Sequence, residues 1–186
     1  MENDIEKLKF PIGKYKAILE FNFSRTVEDI KTLESFASKL RDSVKGLDKT
    51  DFKKTYRKSG MNIAQIIHHY CDTHTYAFLR TKHTLLEDNP SVKMYEVSEF
   101  LTTPESNVLD VEDSLKVIEG IHAKWVSLLK TLSQDDFNKT YYHSARDKNI
   151  ILHEHVGMYA WHTKHHLVHI GMAKESIKEK GKRSKQ

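Results

Sequence analysis

The chain has 186 residues, enough for one domain with a substantial core and too few for two. Its net charge of +4 sits entirely from Lys174 onward, where six basic residues meet two acids with no aromatic side chain to stack on a base, so nucleic-acid binding is not expected. No apolar run approaches the roughly 20 residues that span a bilayer. The charged start, Met1 to Lys7, has no apolar segment behind it, and the lone Cys71 has no partner for an internal disulfide, so the expectation is a soluble cytoplasmic protein.

The whole chain, 1–186, reads as a single helical domain, with 1–25 an extension packing on the rest and 178–186 a basic, disordered tail. Ile30, Leu33, Phe36, Ala37, Leu40 and Val44 recur at 3–4 spacing and predict a first helix from Thr26 to about Val44. Thr26 and Asp29 resemble its cap pair, and Gly46 marks its exit. Asn62 with Gln65 three residues on opens a second helix that continues to about Leu86, before Asn89-Pro90. A third starts at Asp110 and carries Leu115, Ile118, His122, Trp125, Leu129 and Leu132, and a fourth covers about Leu152 to Ile177. Strand-like alternation is confined to stretches such as Ala17–Phe23, so the fold class is all-α, a four-helix bundle. The long loop from Asn89 to Val108, between helices two and three, is of a length usually tied to function, and part of it is expected to cover the site.

Two segments echo each other. Leu47, Asp51, Phe52, Lys54, Thr55 and Tyr56 recur as Leu132, Asp136, Phe137, Lys139, Thr140 and Tyr141, at a constant offset of 85, and each copy leads into a histidine-bearing helix. Coincidence in helix exits is the plain alternative. The favoured reading is two related helical hairpins facing each other.

Seven of the twelve histidines lie in two stretches, His68–His74 and His162–His169. Imidazoles four apart share a helix face, and neutral imidazole is a common ligand for zinc-like ions. At about 100° per residue, His162 and His166 border the apolar face of helix four, while His165 and His169 fall farther round. On helix two, His69 borders the inward face and His68 points away. Helical phase therefore nominates His69, His162 and His166 as metal ligands, and leaves His68, His165 and His169 as surface residues or as supports behind the ligands. His83, His122, His143, His153 and His155 are expected to be solvated or hydrogen-bonded, without metal. Three protein ligands leave open positions, as catalytic sites do. Asp72, three residues beyond His69, could orient an imidazole or take a proton, or else be a solvated acid. Arg80, farther along the same stripe, could bind a substrate carboxylate or a cofactor, or else make a structural ion pair. Tyr76 and Trp125 are assigned to packing, and Cys71 points away from the ligand stripe.

Phe10-Pro11-Ile12-Gly13-Lys14-Tyr15, His68-His69-x-x-Asp72-x-His74, Phe78-Leu79-Arg80-x-Lys82, His122-x-x-Trp125 and Tyr159-Ala160-Trp161-His162-x-x-His165-His166-x-x-His169-Ile170 together resemble the YfiT-like branch of the DinB superfamily over nearly the whole chain. The resemblance implies a four-helix bundle and a divalent metal, zinc or nickel, on one helix-two histidine and an HxxxH pair of helix four, which match His69, His162 and His166. It also implies a homodimer and a small-molecule substrate. Members of this kind have been called metal-dependent hydrolases, while relatives use the metal with low-molecular-weight thiols such as bacillithiol or mycothiol. Met61-Asn62 stands where the family usually has tryptophan-threonine, Ala64 where it has arginine, and Lys164 where a further histidine can occur, which leaves the substrate open. No inward glutamate accompanies the HxxxH pair as it does in HExxH hydrolases, which favours transfer of a thiol to a small electrophile. A metal-dependent hydrolase and a non-enzymatic metal-binding protein are the alternatives.

Overall fold

The computed structural model describes residues 2–92 and 96–183. A short helix α1 (Glu2–Lys9) and an extended arm lead into α2 (Phe23–Val44), followed by the single turn α3 (Lys49–Phe52) and by α4 (Ile63–Leu86). Next come β1 (Ser91–Val92), α5 (Val97–Phe100), α6 (Glu112–Leu129), α7 (Gln134–Phe137), β2 (Thr140–His143), β3 (Lys148–Ile151) and the long α8 (Leu152–Arg183).

Local chemistry sets most of these boundaries. The Asn62 side chain accepts from the Gln65 backbone N–H at 2.8 Å while the Gln65 side chain accepts from the Asn62 N–H at 3.1 Å, the capping box expected for α4. At α2 the cap is Asn22, which accepts from the Arg25 N–H at 2.9 Å, so the helix begins earlier than the expected Thr26. Thr26 instead donates its hydroxyl to the Asn22 carbonyl. Gly46 adopts φ +79°, the left-handed conformation that ends α2 where expected. Residues 17–22, expected to alternate like a strand, carry no strand, and α8 runs on past the expected Ile177. Of the expected tail, residues 184–186 lie outside the described residues. So do 93–95 within the long loop, whose remainder holds β1, α5 and a turn of 3₁₀ helix at Glu105–Asn107.

α2 packs against α6 and α8, and α4 packs against the same two, so the order round the bundle is α2, α6, α4, α8. α2 and α4 therefore sit diagonally, as do α6 and α8, which replaces the expected pair of hairpins. The sequence echo has a structural counterpart nonetheless. Asp48 caps α3 and Ser133 caps α7, each with a reciprocal bond from an aspartate three residues on. The Lys54 carbonyl then accepts the first N–H of α4, from Ile63, at 3.1 Å, and the Lys139 carbonyl accepts the first N–H of α8, from Leu152, at 2.9 Å. Each copy is thus a capped turn and a chain reversal that launches a histidine-bearing helix. In the second copy the reversal grows into the β2–β3 hairpin, with β1 pairing parallel to β2, a small sheet the helical reading did not anticipate. Strands of two to four residues give too little alternation to be read as such.

The core holds Phe36, Leu40, Ile66, Ile67 and Tyr70 toward one end and Leu33, Trp125, Leu129 and Val156 toward the other. Trp125 is fully buried and donates its indole N–H to Thr81 Oγ1 at 3.0 Å, which satisfies the one polar atom of the largest core side chain. The arm crosses α8 at Gly157, where a Cβ would lie 3.2 Å from both the Tyr15 hydroxyl and the Asp29 carboxylate. Tyr15 there donates to the Glu154 carbonyl at 3.0 Å. Among the described residues no helix is long and apolar enough to cross a membrane.

Candidate metal centre

α4 and α8 are clasped by Tyr70, whose hydroxyl donates to the Thr163 carbonyl at 2.6 Å from a fully buried ring. That bond fixes the two helices beside their histidines, since Tyr70 follows His69 and Thr163 follows His162. One donor nitrogen from each of His69, His162 and His166 falls within 4.8 Å of the others. His69 Nε2 and His162 Nε2 are 3.2 Å apart. The rings of His69 and His166 stand edge to face at 5.0 Å, and those of His162 and His166 at 4.6 Å.

Burial keeps these imidazoles neutral. It pushes His69 down to about 4 and holds His162 and His166 well below the usual imidazole range, with neighbouring imidazoles adding to the effect. Three neutral nitrogens converge without a described carboxylate among them. Around an ion with bonds of about 2.0–2.1 Å in tetrahedral geometry, two ligand nitrogens stand about 3.3 Å apart. The donor set and its spacing therefore fit a small divalent ion with imidazole affinity.

Of the histidines expected outside the ligand set, His68, His165 and His169 are buried. His165 is buried, stacked on Trp161 with centroids 4.5 Å apart and touched by Phe10 of the arm. His169 is buried against Tyr56, at 3.7 Å between centroids, and its Nε2 reaches the Leu8 carbonyl at 3.1 Å. The arm covers the face of α8 that helical phase assigned to solvent. His68 is buried too. Its Nε2–H donates to the Val108 carbonyl at 3.1 Å and its Nδ1 accepts from Ser114 at 2.8 Å, so it ties the long loop to α4 and α6.

Asp72 does not join the cluster. It is half-buried, its carboxyl raised by burial and by Glu105 and eased by His68, on the loop side of α4. Arg80 is buried and lines a cavity of about 360 Å³ that reaches His69 and His162. Thr73, His143, Arg146, Tyr159 and Trp161 line it as well, together with Val97 from the long loop. Arg80 donates to the Tyr159 hydroxyl at 3.3 Å and lies over the Tyr76 ring at 5.5 Å. His143 Nδ1 accepts from the Arg146 backbone N–H at 3.2 Å, and burial holds its pKa down, so the neutral ring carries its proton on Nε2. Burial likewise raises the Tyr159 phenol and keeps it protonated. Among the described residues no carboxylate lines the cavity.

Sequence reasoning missed His143, Arg146, Tyr159 and the depth of His74 and His122. His74 had a signal, its place at the centre of the inward face of α4. His143 and Arg146 had none, because they come from the unanticipated sheet and its turn.

The model of the DinB superfamily matches residues 32–170 of this chain. A protein of Geobacillus kaustophilus is 34% identical over 166 residues, 89% of this chain and 93% of its own length. One of Oceanobacillus iheyensis is 36% identical over 162 residues, 87% and 93% of the two chains. Both are provisionally named metal-dependent hydrolases. The solved structure of YfiT from Bacillus subtilis, described as a probable metal-dependent hydrolase with an unusual four-helix bundle topology, aligns with a TM-score of 0.89 at 29% identity. That alignment covers 92% of this chain and 98% of YfiT.

Proposed function

The chain belongs to the DinB superfamily, and from that premise we propose that it is a metal-dependent hydrolase acting on a small molecule. His69, His162 and His166 would hold the ion. The observation that carries the reading is the convergence of three neutral imidazole nitrogens within 4.8 Å, with His69 and His162 at the wall of a cavity of about 360 Å³. The provisional names of the relatives support the same class of reaction. Zinc or nickel suits three imidazoles better than the hard, oxygen-seeking divalent ions.

When bound, a divalent ion supplies Lewis acidity, polarising an electrophilic centre and making a water acidic. The chain's own residues would do the rest. Arg80 and Arg146 give the cavity wall two guanidinium groups, which would orient a substrate bearing a carboxylate or phosphate by charge-assisted hydrogen bonds. His143, protonated at Nε2, and Tyr159, protonated at its hydroxyl, are donors available to a developing oxyanion or a leaving group. Trp161 and Val97 add apolar surface to the same wall.

With no carboxylate among the described lining residues, a second reading is transfer of a low-molecular-weight thiol to a small electrophile, because such a reaction needs no base beside the nucleophile once the thiol is ionised. Metal analysis of untagged protein comes first, and absence of an ion after exposure to zinc and nickel sinks both readings. Loaded protein is then given a panel of anionic esters, amides and phosphoesters, and separately a thiol with monochlorobimane. Hydrolysis that disappears in His166→Ala supports the first reading. Conjugation without hydrolysis replaces it with the second.

A further inference from the structure

Two hydrogen-bonded rows of imidazoles run from backbone carbonyls to the ligand histidines. In the first, His122 Nδ1 lies 2.8 Å from the Leu33 carbonyl, His122 Nε2 lies 2.8 Å from His74 Nδ1, and His74 Nε2 lies 3.1 Å from His162 Nδ1. In the second, His169 Nε2 lies 3.1 Å from the Leu8 carbonyl and His169 Nδ1 lies 3.1 Å from His166 Nδ1. A carbonyl only accepts, and a neutral imidazole has one N–H. His122 must therefore donate from Nδ1 and accept at Nε2, which makes His74 donate from Nδ1 and accept at Nε2, which makes His162 donate from Nδ1. The same logic makes His169 donate from Nε2 and accept at Nδ1, so His166 donates from Nδ1. His74, His122 and His169 are 0%, 2% and 1% exposed, where an added charge would stand against neighbouring imidazoles in the interior.

We infer that these two relays lock His162 and His166 in the Nδ1-protonated tautomer, so that both turn an Nε2 lone pair toward the same point. His74, His122 and His169 are then positioning residues that act through the ligands. The tautomer lock stands on the hydrogen bonds alone, while its consequence for an ion rests on the metal reading above. It explains why imidazoles, rather than the carboxylates more often found behind metal-bound histidine, fill this interior: each passes on the direction of a proton while bringing no charge. It leaves His162 Nε2 an acceptor facing His69 Nε2 at 3.2 Å, where a proton carried by His69 or a cation held by both would lie between them.

The test uses metal-free, full-length protein labelled with ¹⁵N in the imidazoles. Long-range ¹H–¹⁵N correlation should give the Nδ1–H pattern for His162 and His166, and an Nε2–H pattern at either overturns the lock. Co²⁺ titration then reads the consequence. His169→Phe and His74→Phe keep a ring but remove the acceptor, and should weaken Co²⁺ binding about 10–100-fold. His169→Asn, which restores an acceptor near the Nδ1 position, should recover part of it. Unchanged affinity in both phenylalanine variants overturns the positioning role, as does uptake of two ions per chain, since His166 and His169 Nδ1 would then bind an ion rather than each other. If the variants fail to fold, the wild-type tautomers still decide. Correct tautomers with no Co²⁺ uptake defeat the metal reading while leaving the lock intact.

Discussion

α8 presents two clusters of three histidines that share one member. His69, His162 and His166 have donor nitrogens within 4.8 Å of one another, and so do His165, His166 and His169. By spacing and composition they are equivalent, yet they differ in what their nitrogens already do. In the second cluster His169 is committed at both nitrogens, to the Leu8 carbonyl and to His166, and the group is sealed by Phe10, Trp161 and Tyr56. In the first, His162 spends one nitrogen on His74 and aims the other at His69, beside a cavity. Proximity of imidazoles does not make a site; uncommitted lone pairs facing an opening do.

Substitutions in the two clusters should therefore part company. His162→Ala is expected to lose the ion, with affinity down by more than the roughly 100-fold that loss of a supporting hydrogen bond can cause. His165→Ala should keep one ion per chain. Metal analysis alongside Co²⁺ titration reads both, and loss of the ion in His165→Ala alone would invert the assignment. Acid probes what both clusters share, their sealing as neutral rings. Burial depresses His69 in the first cluster and His165 and His169 in the second to about 4. The unfolded chain binds protons at these rings below its ordinary pKa near 6.5 while the folded chain does not. Stability is thus full above about 6.5 and falls with pH down to the folded values, at up to about 1.4 kcal/mol per pH unit for each such histidine. Melting of metal-free protein between pH 7 and 4 measures the slope, and a flat profile would mean the rings are solvated.

Arg80→Gln tests the open side of the first cluster. With the charge-assisted contact gone, KM for an anionic substrate should rise about 10–100-fold at unchanged metal content. An equal loss on neutral analogues would make Arg80 structural. Phe10→Ala tests the sealed side. It should lower stability by about 1 kcal/mol and leave metal stoichiometry alone, since it removes packing over His165 and no ligand.

The four long helices, the Asn62–Gln65 box and the grouping of His69, His162 and His166 were legible because helical periodicity and capping are local. The faces of α8 were only half legible. Phase placed His165 and His169 away from the bundle centre, but nothing in α8 announces that the segment from Leu8 to Tyr15 folds back over that side. Arg80 was found because it shares a stripe with His69. Asp72 shares its side of the helix as well, but it lies half-buried on the loop side, where Glu105 repels its charge and raises its carboxyl. His143 escaped because its position depends on a hairpin of four-residue strands.

The order α2, α6, α4, α8 also governs how such a chain can come together. Of the long helices only α4 and α6 dock as successive neighbours, so the other three interfaces of the bundle must each wait for a segment made later. The contact between His69 and His162 alone closes 93 residues of chain, an entropic cost of about 4 kcal/mol from loop length. A molecule that looks like a quick-folding helical bundle is wired like a non-local fold, and its rate should follow the wiring. The imidazole cluster then forms only once α8 arrives to close the ring.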